Sequence, residues 1–202
     1  MTIRAVIFDL GGVLIRTVES VTREQMAARL GVTRLDLEEM VFGDDSGTRA
    51  QRGEIQANQH WENLRLRLKM TPEEITIFQK DFWSGDRLDT KLVDYIRGLR
   101  QSYRTALLSN AFSDLREMIT RRWKIADAFD EIVISSEVGM MKPDPLIYRF
   151  VLERLNVAAP EAVFVDDFVR NVEGARVVGM HAVHFRTSEQ VRAELEMILN
   201  EN

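Results

Sequence analysis

Ile3-Arg4-Ala5-Val6-Ile7-Phe8-Asp9-Leu10-Gly11-Gly12-Val13-Leu14 begins as a short apolar run, stops at a carboxylate and turns through two glycines. A strand buried on both faces of a sheet reads as a near-continuous Val/Ile/Leu run instead of a strict alternation, and Ile3 to Phe8 has that character. Three later runs share it: Thr105 to Leu108, Ile132 to Ile134 and Ala162 to Val165, with His181 to Phe185 as a fifth. Helical stretches with readable ends separate the later runs. Asp144-Pro145 opens one that continues through Leu155, and Gly179 closes one that begins near Val169. Alternating strand and helix predicts an α/β fold, a doubly wound parallel sheet with right-handed crossovers.

The stretch from about Thr17 to Asp86 breaks this pattern, with helical periodicity and no convincing strand. It reads as a helical cap, residues 17–86, inserted into a core made of residues 1–16 and 87–202. Thr33 with Asp36 has the spacing of a capping box, and Thr71-Pro72-Glu73-Glu74 adds proline at the first helical position. Gly31, Gly43 and Gly53 separate the pieces, and Asp44 to Gly47 reads as a loop from its Asp, Ser and Gly content.

Composition narrows the function classes. Of 202 residues, 45% are hydrophobic and 29% charged, which is the balance of a globular chain. There is no cysteine, so neither a disulfide framework nor a thiol nucleophile is available, which fits a reducing compartment. A formal net charge of -5 disfavours a nucleic-acid surface. The chain shows no secretory signal and no apolar run long enough to span a bilayer, which predicts a cytoplasmic protein without membrane or nucleic-acid partners.

In an open α/β sheet, ligands bind beyond the carboxyl ends of the strands. The residues that end these runs are Asp9, Ser109-Asn110 and the pair Asp166-Asp167, while the third run leads to a loop holding Lys142. Carboxylates gathered on one rim repel each other, and a divalent cation with oxygen ligands relieves that repulsion while leaving them ionised. Mg²⁺ fits best, because it takes one or two carboxylates together with water and substrate phosphate. Asp9, Asp166 and Asp167 with Lys142 and Mg²⁺ would then balance in charge. Helix N-termini and the amides after Asp9 would help to hold a phosphate.

Taken together, Phe8-Asp9-Leu10-Gly11-Gly12-Val13-Leu14, Leu107-Leu108-Ser109-Asn110, Lys142-Pro143-Asp144 and Val165-Asp166-Asp167 resemble the four ordered motifs of the haloacid dehalogenase-like hydrolase superfamily. The helical insertion between the first two resembles that superfamily's first cap type. The resemblance implies a phosphomonoester hydrolase that acts on a small phosphorylated substrate, with Asp9 as nucleophile forming an aspartyl-phosphate. It implies Mg²⁺ held by Asp9, the Gly11 carbonyl, Asp166 and Asp167. Ser109, Asn110, Lys142 and the backbone at Gly12 would contact the phosphoryl group, with Asn171 orienting the loop.

This sequence departs from the superfamily's phosphatases at one place. They usually carry a second aspartate two positions after the nucleophile, as general acid and base, where this chain has Gly11. The departure points to a substrate with a good leaving group, such as an anomeric or acyl phosphate, or to proton donation by water or the substrate. The Asp-Leu-Gly form also resembles a branch that includes sugar-1-phosphate phosphatases. Two rivals stand beside this reading: a 2-haloacid dehalogenase, which Asp166-Asp167 argues against, and a catalytically idle binding or regulatory protein, which the intact remaining motifs argue against.

Other conspicuous residues read as structural. His181 and His184 lack zinc-ligand spacing. His60 and Trp61 read as packed helix stripe, Phe82 and Trp83 as core, and Arg16, Arg49, Arg52 and Arg87 as solvated cations.

Overall fold

The computed structural model describes residues 2–200. Its elements run β1 (Ala5–Phe8), β2 (Ile15–Thr17), α1 (Val21–Leu30), α2 (Arg34–Phe42), α3 (Asp45–Gln51), α4 (Ala57–Arg67), α5 (Pro72–Phe82), β3 (Asp86–Leu88), α6 (Thr90–Leu99) and β4 (Arg104–Ser109). They continue with α7 (Leu115–Glu117), β5 (Glu131–Ile134), α8 (Ser135–Val138), α9 (Pro145–Leu155), β6 (Ala162–Asp166), α10 (Val169–Val178), β7 (His181–His184) and α11 (Ser188–Asn200). Five strands form one parallel sheet in the order β5-β4-β1-β6-β7. All five expected strands are present.

The continuous apolar runs are explained by burial on both faces. Along β1, Val6 and Phe8 face a cluster with Leu92 and Ile96 of α6 and Val191 and Leu195 of α11. Ala5 and Ile7 face the opposite cluster, with Ile147 and Val151 of α9 and Ala175 of α10. Successive side chains in a strand point to opposite sides, so a strand sandwiched between helical layers needs apolar residues at every position.

A third apolar cluster lies within the helices of residues 26–82 and includes one residue from outside them, Phe112. The expected capping boxes are present: Thr33 accepts from the Asp36 amide at 3.1 Å and Thr71 from the Glu74 amide at 3.2 Å. Three expectations need correction. Asp44 to Gly47 is not a loop, because Asp44 caps α3 by accepting from the Gly47 amide and the helix starts at Asp45. A residue type that suits turns suits helix starts for the same reason, since its side chain satisfies a free amide. Trp83 is not core but 38% exposed, packed edge-on against Phe82. The stretch thought to lack strands contains strand residues at both ends: β2 and β3 pair antiparallel, with Arg16 opposite Arg87 and Thr17 opposite Asp86. No helix among the described residues is long and apolar enough to cross a membrane.

Candidate active site

The parallel sheet brings the ends of β1, β4 and β6 to one rim. Asp9 follows β1, Ser109 ends β4 and Asp166 ends β6. All three are almost fully buried, as is Lys142 from the loop between α8 and α9. Lys142 Nζ lies 2.8 Å from Asp9 Oδ1 and 2.6 Å from Asp166 Oδ2, so one ammonium bridges two carboxylates.

Each group is held by its neighbours. The Leu10 amide donates to Asp9 Oδ1 at 2.7 Å. Asp166 Oδ1 accepts from the Phe168 amide at 2.8 Å, and Asn171 Nδ2 donates to both Asp166 oxygens at 3.0 and 3.1 Å. The Tyr148 hydroxyl donates to the Asn171 carbonyl at 2.8 Å. Asn110 clasps the main chain of Lys142, donating from Nδ2 to its carbonyl and accepting from its amide, both at 2.9 Å. The Asn110 side chain thus spends part of its capacity on fixing the lysine loop. The Ser109 hydroxyl makes no hydrogen bond among the described residues and remains available.

Asp167 completes the acidic group. One oxygen from each of Asp9, Asp166 and Asp167 lies within 4.8 Å of the others. Asp167 Oδ1 is buried without a hydrogen-bond partner. Gly12 adopts φ +74°, and a Cβ there would overlap the Asp167 carboxylate, so this turn requires glycine both for its backbone and for the space it leaves. A Cβ on Gly11 would meet open space.

The electrostatics describe a site short of positive charge. Burial pushes Asp9 up to about 7; Lys142 opposes that rise, while Asp166 adds to it. Burial and the neighbouring Asp166 push Asp167 up to about 6. Burial works against the charge on Lys142, but Asp9 and Asp166 outweigh it and hold the ammonium above its usual range. Three carboxylates against one ammonium, with an unmatched buried oxygen on Asp167, are the donor set that a hard divalent cation fits.

Sequence reasoning read His184 as structural, which it is, and missed Phe112 near this region. His184 Nε2 lies 2.9 Å from the Asp167 carbonyl, to which its N–H donates, so His184 supports the backbone of the carboxylate pair. Phe112, three residues after Ser109, is the residue that enters the helical cluster. The signal for Phe112 was a large apolar residue inside an otherwise polar loop. His60, expected to pack, is fully buried, with Nδ1 2.9 Å from Ser46 Oγ. Arg49, Arg52 and Arg87 are exposed, as expected, with Arg49 near Glu54 and Arg87 near Glu19 at the surface, while Arg16 is half-buried and pairs with Asp89.

The haloacid dehalogenase-like hydrolase family matches residues 3–179. The chain is a haloacid dehalogenase-like hydrolase. This hydrolase is 29% identical to the sesquiterpene phosphatase astK of Aspergillus oryzae, over 98% of its own length and 97% of that protein's. It is 28% identical to the D-ribitol-5-phosphate phosphatase of Bacteroides thetaiotaomicron, over 98% and 99% of the two chains. Its fold is shared with a haloacid dehalogenase family enzyme of Bacteroides thetaiotaomicron solved with magnesium and inorganic phosphate. The TM-score is 0.74 at 24% identity, covering 91% of this hydrolase and 94% of that chain.

Proposed function

We propose that this hydrolase removes phosphate from a small phosphorylated substrate in a Mg²⁺-dependent reaction, with Asp9 as nucleophile. The observation that carries the reading is the Asp9-Lys142-Asp166 bridge beside the unmatched Asp167 oxygen. Asp9, Asp166, Asp167 and the Gly11 carbonyl would hold the cation. When bound, Mg²⁺ offsets charge on the transferring phosphoryl group. With Asp9 raised to about 7, much of it is protonated near neutrality until a cation favours the carboxylate.

The chemistry divides into two displacements. An Asp9 oxygen attacks phosphorus, the bond from phosphorus to the leaving oxygen breaks, and that oxygen takes a proton from water or from the substrate itself. Water then attacks the aspartyl-phosphate, restoring Asp9 and releasing inorganic phosphate. Lys142 acts as a point charge between nucleophile and phosphoryl oxygens, while the Ser109 hydroxyl and the backbone around Gly12 and Asn110 orient the phosphate. Asn171 keeps Asp166 in place. Residues 17–86 serve as a cap that excludes water over the core of residues 1–16 and 87–202.

Two near-full-length relatives bear the names of phosphatases, which favours this reading over dehalogenation. Dehalogenation also uses an aspartate nucleophile but needs no metal, so it leaves the Asp166-Asp167 pair beside Asp9 without a role. The idle reading leaves unexplained a buried lysine held on two carboxylates. The Gly11 position favours a substrate whose leaving group departs without strong acid help.

The test is phosphate release from acyl, aryl, alkyl and sugar phosphates, with sugar-1-phosphates beside 6-phosphates, in Mg²⁺ or EDTA, for wild type and Asp9→Asn. The reading requires release that depends on both Mg²⁺ and Asp9. Halide release without Mg²⁺ would instead establish the dehalogenase.

A further inference from the structure

Eleven of the twelve buried residues in the third apolar cluster come from residues 26–82, and the twelfth is Phe112. Phe112 sits in the loop after β4, two residues beyond Asn110, and is only 6% exposed. Its ring stacks on Phe42 at 6.1 Å, lies 5.0 Å from His60 and meets Trp61 edge-on at 6.3 Å. A second contact lies beside the first, because the Ala57 amide at the start of α4 donates to Ser113 Oγ at 3.2 Å. A third involves backbone alone: Gly53, at φ +73°, stands where a Cβ would overlap the Ser136 carbonyl.

The first two contacts join the helical segment to the loop that follows Ser109 and begins with Asn110, the third joins it to α8, and Asn110 clasps the main chain of Lys142. We propose that Phe112 is a positioning residue: seated among Phe42, His60 and Trp61, it holds the lid shut and ties closure to the placement of Ser109, Asn110 and Lys142. The inference rests on the phosphatase reading for its catalytic consequence, though not for the latch itself. Opening must withdraw one aromatic ring from three others, so the loop that meets the phosphate shifts whenever the lid does.

The test compares wild type, Phe112→Leu and Phe112→Ala by amide hydrogen exchange and by steady-state phosphate release with Mg²⁺. In Phe112→Ala, exchange across α4 and at residues 52–54 should quicken by about tenfold or more while β1, β4 and β6 keep their protection, with Phe112→Leu intermediate. A lid that is open for more of the time divides apparent affinity by the closed fraction, so KM should rise with kcat nearly kept, by less than exchange quickens for as long as the closed state remains the majority. Phe112→Leu should recover most of it. Unchanged exchange in α4 overturns the latch. A fall in kcat at constant KM that tracks lost protection in β1, β4 and β6 overturns the positioning role, because that is the signature of fewer folded molecules. Where Phe112→Ala also loosens the strands, Phe112→Leu decides by the same criteria. A wild type that releases no phosphate defeats the functional reading, while the exchange experiment still judges the latch.

Discussion

Asn171 donates its side-chain amide to both carboxylate oxygens of Asp166, at 3.0 and 3.1 Å, at the bottom of a site where Asp166 has no exposure to water. A buried carboxylate that loses a donor has no solvent to replace it. Asn171→Ala should therefore weaken Mg²⁺ binding and phosphate release by about 10- to 100-fold, the usual penalty for removing a group that orients a metal ligand. Calorimetric titration of Mg²⁺ into both proteins measures this directly. Equal affinities would show that Lys142 and the Phe168 amide hold Asp166 without help.

The raised carboxylates give the metal-free protein a defined response to pH. Asp9 binds its proton more tightly in the folded state, with a pKa of about 7 against the ordinary 3.8. The stability contributed by that proton is fully present below 3.8 and is lost as pH rises through about 7; Asp167 behaves likewise with its pKa of about 6. Thermal melts in EDTA should fall across this window, and added Mg²⁺ should flatten the slope. Mg²⁺ affinity should rise over the same range, with protons released on binding. Titrations in two buffers of different ionisation heat measure the release, and a count of zero would contradict the assigned ligands.

Gly11 provides a test by addition. A Cβ there meets open space and the backbone needs no glycine φ, so an aspartate can be installed two residues after the nucleophile. Gly11→Asp should speed alkyl phosphate hydrolysis by about tenfold or more, a modest share of what general acid catalysis supplies, and should change acyl phosphate hydrolysis little. The ratio of kcat/KM values for the two classes is the measurement. No gain on alkyl phosphates would mean that the leaving group already receives its proton by another route.

The parallel sheet was legible because burial on both faces demands uninterrupted apolar residues, and Val6, Ile7 and Phe8 satisfy clusters on opposite sides at consecutive positions. The rim residues were legible for a topological reason: parallel strands deliver their ends to one edge. β2 and β3 were not legible. Ile15-Arg16-Thr17 and Asp86-Arg87-Leu88 are three residues each and mostly polar, too short for either period to register, and their pairing spans 69 residues between Thr17 and Asp86. The same limit hid Phe112, whose partners Phe42, His60 and Trp61 are far away in sequence. Asp44 misled for a local reason, since turn-forming chemistry is also helix-capping chemistry.

The pairing of β2 with β3, a two-stranded ribbon apart from the five-stranded sheet, means that the helical segment between them starts and ends on adjacent strands, with Arg16 opposite Arg87. A change in the length of the segment between them therefore need not move its two ends, which stay fastened side by side. One condition travels with any such change. The altered segment must offer a pocket to Phe112, or the protein is left with a bare aromatic ring beside its most sensitive loop.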